Sequence, residues 1–405
     1  MVNDQQELLN NKLHLKQLEL NSLLEITQAI NANLSEESLY KIYHFTLLAN
    51  LKIKKLALYV LDKDWDCKVN FGTLKNYKKK PICDKVLEFA TITEINEQYE
   101  GFEEFDLAIP VTHKSRVLAY VFVGGIKERE ENEEADISFV QTFTNIIIVA
   151  IENKKLARKE LAQEALRKEL EIAKEVQTLL FPKSLPDNNH VKIHATYIPH
   201  QTIGGDYYDY IPLDDSSFLV CVADVSGKGI PAALLMSNFQ ASLRTLIRKT
   251  TALREIVKEL NHIILNNANG ERFITFFIAV CNYKKRKLKY INAGHNPPIL
   301  LNNGEIISLD RGTTILGVFP NLPNIEEAEI DLEDNAFLFS YTDGLTETEN
   351  EEQEEFGVER VKEVLTCFQN KNLEQLHRSL LEKLNEFKGK GNYCDDITCL
   401  SCLIF

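Results

Sequence analysis

Three apolar runs in the second half of the chain each meet a carboxylate at one end. Phe218-Leu219-Val220-Cys221-Val222-Ala223 runs into Asp224, and Phe337-Leu338-Phe339-Ser340-Tyr341-Thr342 runs into Asp343. Asp395-Asp396 stands directly before Ile397 to Phe405. Short continuous apolar runs bounded by turn residues read as buried strands. A carboxylate at the end of such a strand costs several kcal/mol in lost hydration unless something compensates it. A single case is explained by a turn or a helix cap. Several together, each beside glycine or a second acid, are better explained by divalent cations. Asp206, in Gly204-Gly205-Asp206-Tyr207-Tyr208-Asp209, shares that context.

Oxygen-only ligation suits hard cations such as Mg²⁺ or Mn²⁺ rather than zinc. No histidine pattern competes. His190 and His194 are four apart, but Val191-Lys192-Ile193 between them reads as strand, and the glutamate of a zinc-protease helix is missing. A pair of ions ~3.5–4 Å apart activates water at neutral pH and clamps a phosphoryl group for in-line attack. Such chemistry needs no protein nucleophile, and the chain offers no convincing one. Ser226 sits in V-S-G rather than G-x-S-x-G. Gly227-Lys228-Gly229 lacks the spacing of either nucleotide-binding glycine motif. Its glycines instead let the backbone turn from the Asp224 strand into a helix beginning near Pro231.

At 405 residues the chain is long enough for two or three domains. Residues 1 to about 48 read as helical, with a fresh N-cap at Ser35 ahead of Glu36 and Glu37. Strands follow at Lys54 to Leu61, Asp106 to Val111 and Val117 to Val123, the last two joined as a hairpin by Thr112 to Arg116. A helix starting near Glu134 runs on through a highly charged stretch, short of a regular heptad. Phe181-Pro182-Lys183-Ser184-Leu185-Pro186 ends it. The expected division is 1–152, a connecting helix or short coiled coil at 153–185, and 186–405. Beyond the prolines, strands and helices in mixed order argue for packed antiparallel sheets with flanking helices. Strands are expected at Val191 to Ile198, Phe218 to Ala223, Thr275 to Tyr283, Leu288 to Asn292, Phe337 to Tyr341 and Ile397 to Phe405. The clearest helix is Pro231 to Arg248.

The net charge of −14 repels phosphate backbones and anionic lipid, which makes nucleic acid and membrane poor expectations. The N-terminus lacks the pattern of a signal peptide, and no apolar run approaches the ~20 residues of a spanning helix, so a cytoplasmic protein is expected. The eight cysteines are dispersed. Cys399 and Cys402 form C-x-x-C, but within a strand residues three apart face opposite sides, which favours buried free thiols over zinc or redox chemistry.

Residues from about 170 to 405 resemble the SpoIIE-type branch of the PPM (protein phosphatase 2C-like) serine/threonine phosphatases. The motifs occur in the family's order: GGDYYD at 204–209, DVSGKG at 224–229, PAALLM at 231–236, RFITFF at 272–277, NAGHNPP at 292–298, TDGLTE at 342–347, FGVERV at 356–361 and DDIT at 395–398. The resemblance implies an α+β fold, a sandwich of two antiparallel sheets flanked by helices, with two Mn²⁺ or Mg²⁺ ions at one edge. It implies that Asp224 bridges both ions and that the Val225 carbonyl helps bind one. Asp343 and Asp395 would hold the second, Asp206 would act mostly through water, and Asp396, the neighbouring acid of DDIT, would either stand beside the ligands or be a metal ligand itself. The implied substrate is a phosphoserine or phosphothreonine on an anti-sigma-factor antagonist. Where eukaryotic members carry a histidine two residues after the bridging aspartate, this chain has Ser226. His295 is then either the acid that protonates the leaving alkoxide or a structural residue of its turn. The acidic run 347–355 reads as a solvated flap or loop, with a third-metal or docking role as the alternative.

Residues from roughly 20 to 152 resemble a GAF sensory domain, on the order of helices and strands and the hairpin LAIPVTHKSRVLAYVFVGG. No cyclic-nucleotide or chromophore signature identifies a ligand, and a dimerisation module is the alternative. Cys67 and Cys83 are candidate redox sensors or packing residues. Together the two resemblances imply a sensor-regulated phosphatase acting as a homodimer. The rivals are a non-catalytic scaffold that binds a phosphoprotein, and a two-metal hydrolase of nucleotides or small phosphates.

Overall fold

The computed structural model describes residues 2–50, 53–82, 84–96, 99–114, 116–125, 137–268, 270–367 and 372–405. Cys83 lies outside the described residues. The chain divides into two compact units, Met1–Glu164 and Ala165–Phe405. The division falls within a long helix, Ile137–Thr178, where residues 156–169 are exposed on every face. Among the described residues no helix is long and apolar enough to cross a membrane.

In the first unit, Ser35 caps the helix Glu36–Phe45, its hydroxyl oxygen accepting the Ser38 N–H at 3.1 Å. A five-stranded antiparallel sheet runs in the order Trp65–Phe71, Lys55–Leu61, Arg116–Gly124, Leu107–His113, Thr93–Glu94. Alternation along the strands gives it two apolar faces. Leu56, Leu58, Val121 and Val123 meet Ile26, Tyr43, Phe143 and Ile147 from the helices, while Ala57, Tyr59, Tyr120 and Phe122 meet Tyr77, Phe102 and Phe105. The expected hairpin is present, with Lys114 at φ 46° in its turn. Strand Trp65–Phe71 was not anticipated, although its signal is there: Cys67, Val69 and Phe71 are buried and alternate with polar residues, the mark of an edge strand with one wet face.

The second unit stacks two antiparallel-paired sheets between helices. One sheet runs Tyr207–Pro212, Ser217–Val225, Ile274–Asn282, Lys287–Ala293, with Ala328–Asp331 and the short parallel Gly312–Thr313 on the last. The other runs Val191–Ile198, Ile397–Ile404, Ala336–Tyr341, Ile299–Asn302, Glu305–Ser308. Between them, Phe218, Val220, Val222, Phe277 and Leu288 pack against Ile193, Leu300, Leu338 and Leu400. The outer face of the first sheet is covered by helices Ile230–Ile247 and Leu253–Ala268, and that of the second by Gly357–Thr366 and Leu373–Lys388. This is the α+β sandwich expected. Cys399 and Cys402 lie on opposite faces of their strand, one toward the helices and one between the sheets, so they form no joint site.

Candidate active site

Antiparallel pairing explains how carboxylates far apart in sequence become neighbours. Tyr207 pairs with Ala223, which sets Asp206, just before one strand, beside Asp224 near the end of the next. Tyr341 pairs with Cys399, which sets Asp343, just after one strand, near Asp395, just before the other. Two hydroxyls from the second sheet then reach into the first: Thr342 and Thr398 donate to Asp206 Oδ2 at 2.7 and 2.6 Å. Asp206 is 1% exposed. Asp396 accepts the N–H of His200 on Oδ1 and that of Gly205 on Oδ2, both at 2.7 Å. Both of its oxygens thus hold the backbone that leads into Asp206.

The acids crowd one another. Burial, and then the charge of Asp224, hold the Asp206 carboxyl well above the usual range, against the lowering effect of its two hydroxyl donors. Burial, followed by Asp343, Asp395 and Asp396, pushes Asp224 up as well. Burial and Glu347 raise Asp343 to about 6. A group of carboxylates that resist ionising together is the condition a polyvalent cation relieves. Among the described residues no three histidine, cysteine or acidic side chains converge on one ion position. Main-chain and water oxygens would therefore complete any shell. The Val225 carbonyl is suited to this, because a Cβ on Gly205 would lie 2.9 Å from it and glycine leaves the space open. The donor set fits a hard cation in its chemistry.

Gly344 has an equally specific reason. A Cβ there would collide with the main-chain carbonyl of Asp396, which cannot move without displacing Asp395. Gly344→Ala is expected to cost about 1–3 kcal/mol by overpacking. Thermal denaturation checks this, and an unchanged midpoint would show that the two strand ends yield easily.

Lys228 joins the site from the turn that sequence reasoning treated as a glycine hinge. Its ammonium lies 2.9 Å from Asp395 Oδ2 and also donates to the Cys394 carbonyl. His295 stands differently. It is 4% exposed, its Nδ1 contacts Thr275 Oγ1 at 2.8 Å, and its main-chain N–H donates to Asn292 Oδ1 at 2.7 Å. Thr275 pairs directly with Asp224 in the sheet, so the two side chains share a face, yet among the described residues the buried His295 Nε2 has no hydrogen-bond partner. Burial lowers its pKa to about 4, which leaves it neutral at pH 7.

Two further features lie apart from the acid cluster, and the second is the loop expected of the acidic run. Asp209, the second acid of the GGDYYD motif, belongs to a different construction: it is fully buried and takes a two-pronged bond from Arg244 at 2.9 and 3.0 Å, with the Tyr207 hydroxyl as a third donor. That network ties helix Ile230–Ile247 to the strand beginning at Tyr207. The acidic run 347–355 forms an exposed loop closed by a bridge between Glu349 and Glu355, with Asn350 Oδ1 accepting the N–H groups of Glu352 and Glu354.

Comparison with known proteins gives three kinds of match. The sequence profile described as "Stage II sporulation protein E (SpoIIE)" matches residues 214–403. Phosphoserine phosphatase RsbU of Bacillus subtilis is 30% identical over 231 residues, 56% of this chain and 68% of that protein. Protein IcfG of Synechocystis sp. is 29% identical over 277 residues, 61% of this chain but only 43% of that protein. Among solved structures, the SiaA-PP2C domain of Pseudomonas aeruginosa superposes with a TM-score of 0.54 at 20% identity, covering 60% of this chain and 98% of that one. At that identity the likeness speaks for the fold alone.

Proposed function

Since the chain belongs to the SpoIIE-type PPM phosphatase family, we propose that it is a protein-serine/threonine phosphatase dependent on two Mn²⁺ or Mg²⁺ ions. The observation that carries this reading is the mutual crowding of Asp206, Asp224 and Asp343 where strand ends of the two sheets meet. Asp224, Asp343, Asp395 and the Val225 carbonyl would hold the ions, with Asp206 bonding through water. Bound there, the ions would supply charge neutralisation of the phosphoryl group and activation of water.

The chain's own groups have distinct parts in this reading. Thr342 and Thr398 occupy Asp206 Oδ2 and so orient its other oxygen. Asp396 holds the Gly205 amide instead of serving as a ligand. Lys228 is the cation at hand to meet the substrate phosphate at the rim. A buried, neutral His295 is a poor proton reservoir, which favours its structural alternative; the leaving alkoxide then takes its proton from water.

The first unit is proposed as a GAF-like sensor for a ligand or protein not identified by its sequence. With the connecting helix it would regulate the phosphatase, in a cytoplasmic homodimer that engages neither nucleic acid nor membrane. The burial that raises the Cys67 thiol to about 12 speaks for packing rather than redox sensing there. The substrate proposed is a phosphorylated anti-sigma-factor antagonist or a similar small phosphoprotein.

Hydrolysis of a phosphoserine protein and of p-nitrophenyl phosphate with Mn²⁺, with and without EDTA, tests the activity. Turnover abolished by EDTA and restored by Mn²⁺ is expected. A folded, metal-loaded protein inert toward both substrates would favour the scaffold reading.

A further inference from the structure

The last turn of helix Ile137–Thr178 carries one buried side chain, and it is polar. From residue 156 to residue 179 every position is exposed or half-exposed except Gln177, which is 6% exposed. A leucine would anchor a helix end at less cost, because a buried amide is unfavourable unless its hydrogen bonds are made. Gln177 makes them to one residue. Its Nε2 donates to the Gly204 carbonyl at 2.7 Å, and its Oε1 faces the Gly204 N–H at 3.4 Å.

Gly204 is the first residue of the GGD segment. The next amide, Gly205 N–H, is held by Asp396, and the next side chain, Asp206, is held by Thr342 and Thr398. Three consecutive residues are therefore gripped from two sides, with Gln177 holding the first of them from the end of helix Ile137–Thr178. A side chain at Gly204 would collide with Asp396 Oδ2 and with the Tyr197 hydroxyl, so the backbone here is packed closely between its neighbours.

We propose that Gln177 is a positioning residue for Asp206, setting through Gly204 the place of that carboxylate in the cation site. The proposal rests on the phosphatase reading only for its consequence in turnover; the positioning itself concerns the protein's own backbone. Groups that orient metal-binding side chains typically change metal affinity by 10–100-fold when removed.

The test compares wild type with Gln177→Met, close in shape but unable to make the two bonds, in the full chain. Three quantities are read: hydrogen exchange at the amides of residues 204–207 without metal, Mn²⁺ affinity by calorimetry, and kcat against Mn²⁺ concentration. Exchange at Gly205 is expected to rise at least tenfold, Mn²⁺ affinity to fall roughly tenfold, and kcat at saturating Mn²⁺ to return within about threefold of wild type. A purely structural residue would lower the unfolding midpoint and leave the saturation curve in place. Unchanged exchange at Gly205, or unchanged Mn²⁺ affinity in a protein that binds Mn²⁺, would overturn the proposal. If wild type binds Mn²⁺ but hydrolyses nothing, the phosphatase reading fails while the exchange and affinity results still decide the role of Gln177. If it binds no Mn²⁺, exchange decides alone. Should Gln177→Met not fold, Gln177→Glu, which keeps the acceptor and loses the donor, replaces it in the same measurements.

Discussion

Asp224→Asn is expected to abolish hydrolysis and, at the same time, to make the metal-free protein more stable. Loss of several kcal/mol of charge stabilisation in the transition state corresponds to a fall of roughly a thousandfold or more in kcat. The gain in stability follows from the crowding of the acids. Burial, with Asp343, Asp395 and Asp396, raises Asp224 to about 7 in the folded protein. The folded state therefore holds a proton that the unfolded chain, with an ordinary carboxyl near 3.9, gives up. The stability contributed by that proton is complete below about pH 4 and is lost as the pH rises through the folded value. Asparagine never ionises and escapes the loss. Metal-free Asp224→Asn should unfold some degrees above wild type at pH 8, by about 1–3 kcal/mol, with the gap narrowing steadily as the pH falls toward 4. His295 and His377, pushed down to about 4 and about 3 by burial, tilt stability the opposite way as the pH falls, but equally in both proteins. Saturating Mn²⁺ should reverse the order, because only the wild type recovers the full ligand set. Thermal scans across pH 5–8, with and without Mn²⁺, check each part. A metal-free mutant less stable than wild type at pH 8 would show that Asp224 stabilises the fold by other means.

Arg244→Ala is expected to produce the largest loss of stability. Asp209 is fully buried, and Arg244, half-exposed at its own end, is its counter-charge. Removing one partner of such a pair costs about 3–5 kcal/mol, because the remaining charge stays behind without compensation. The Tyr207 hydroxyl and the Tyr210 amide still donate to Asp209, so the lower end applies. That is a drop of roughly 10 °C for a unit of this size. Arg244→Lys should recover only part of it, since an ammonium cannot supply two parallel bonds. The double substitution Asp209→Asn with Arg244→Leu should be less damaging than Arg244→Ala alone. If all three variants unfold alike, helix Ile230–Ile247 is held by its apolar face and the ion pair is incidental.

Both predictions turn on residues that the sequence exposed to different degrees. Asp224, Asp343 and Asp395 were legible because each interrupts an apolar run, and a charge at that place has few structural explanations. Asp209 carried no such mark. It follows two tyrosines in a motif whose metal-site acid is Asp206, and Arg244 lies on a helix marked in the sequence by its apolar face. Nothing in the spacing of residues 209 and 244 links them; only the packing of helix on sheet does. Lys228 was read as part of a glycine turn, and its place beside Asp395 depends on strands that meet from opposite ends of the second unit.

Local pattern alone was sufficient for six strands of the sandwich, the helix after Pro231, the Ser35 cap and the hairpin at Lys114, because continuous burial and turn chemistry are written in neighbouring residues. The strands Tyr207–Pro212, Ile299–Asn302, Glu305–Ser308 and Ala328–Asp331 went unread because they are too short to show a period, whereas the helices Leu253–Ala268, Gly357–Thr366 and Leu373–Lys388 carry apolar stripes at helical spacing that could have found them. Which acids stand together was a tertiary decision. Antiparallel register sets the start of one strand beside the end of another, and the stacking of two sheets brings Thr342 and Thr398 onto Asp206. The same packing buried His295 and Asp209 and tied Gln177 to Gly204, since burial and partnership are properties of neighbours in space that a linear order does not contain.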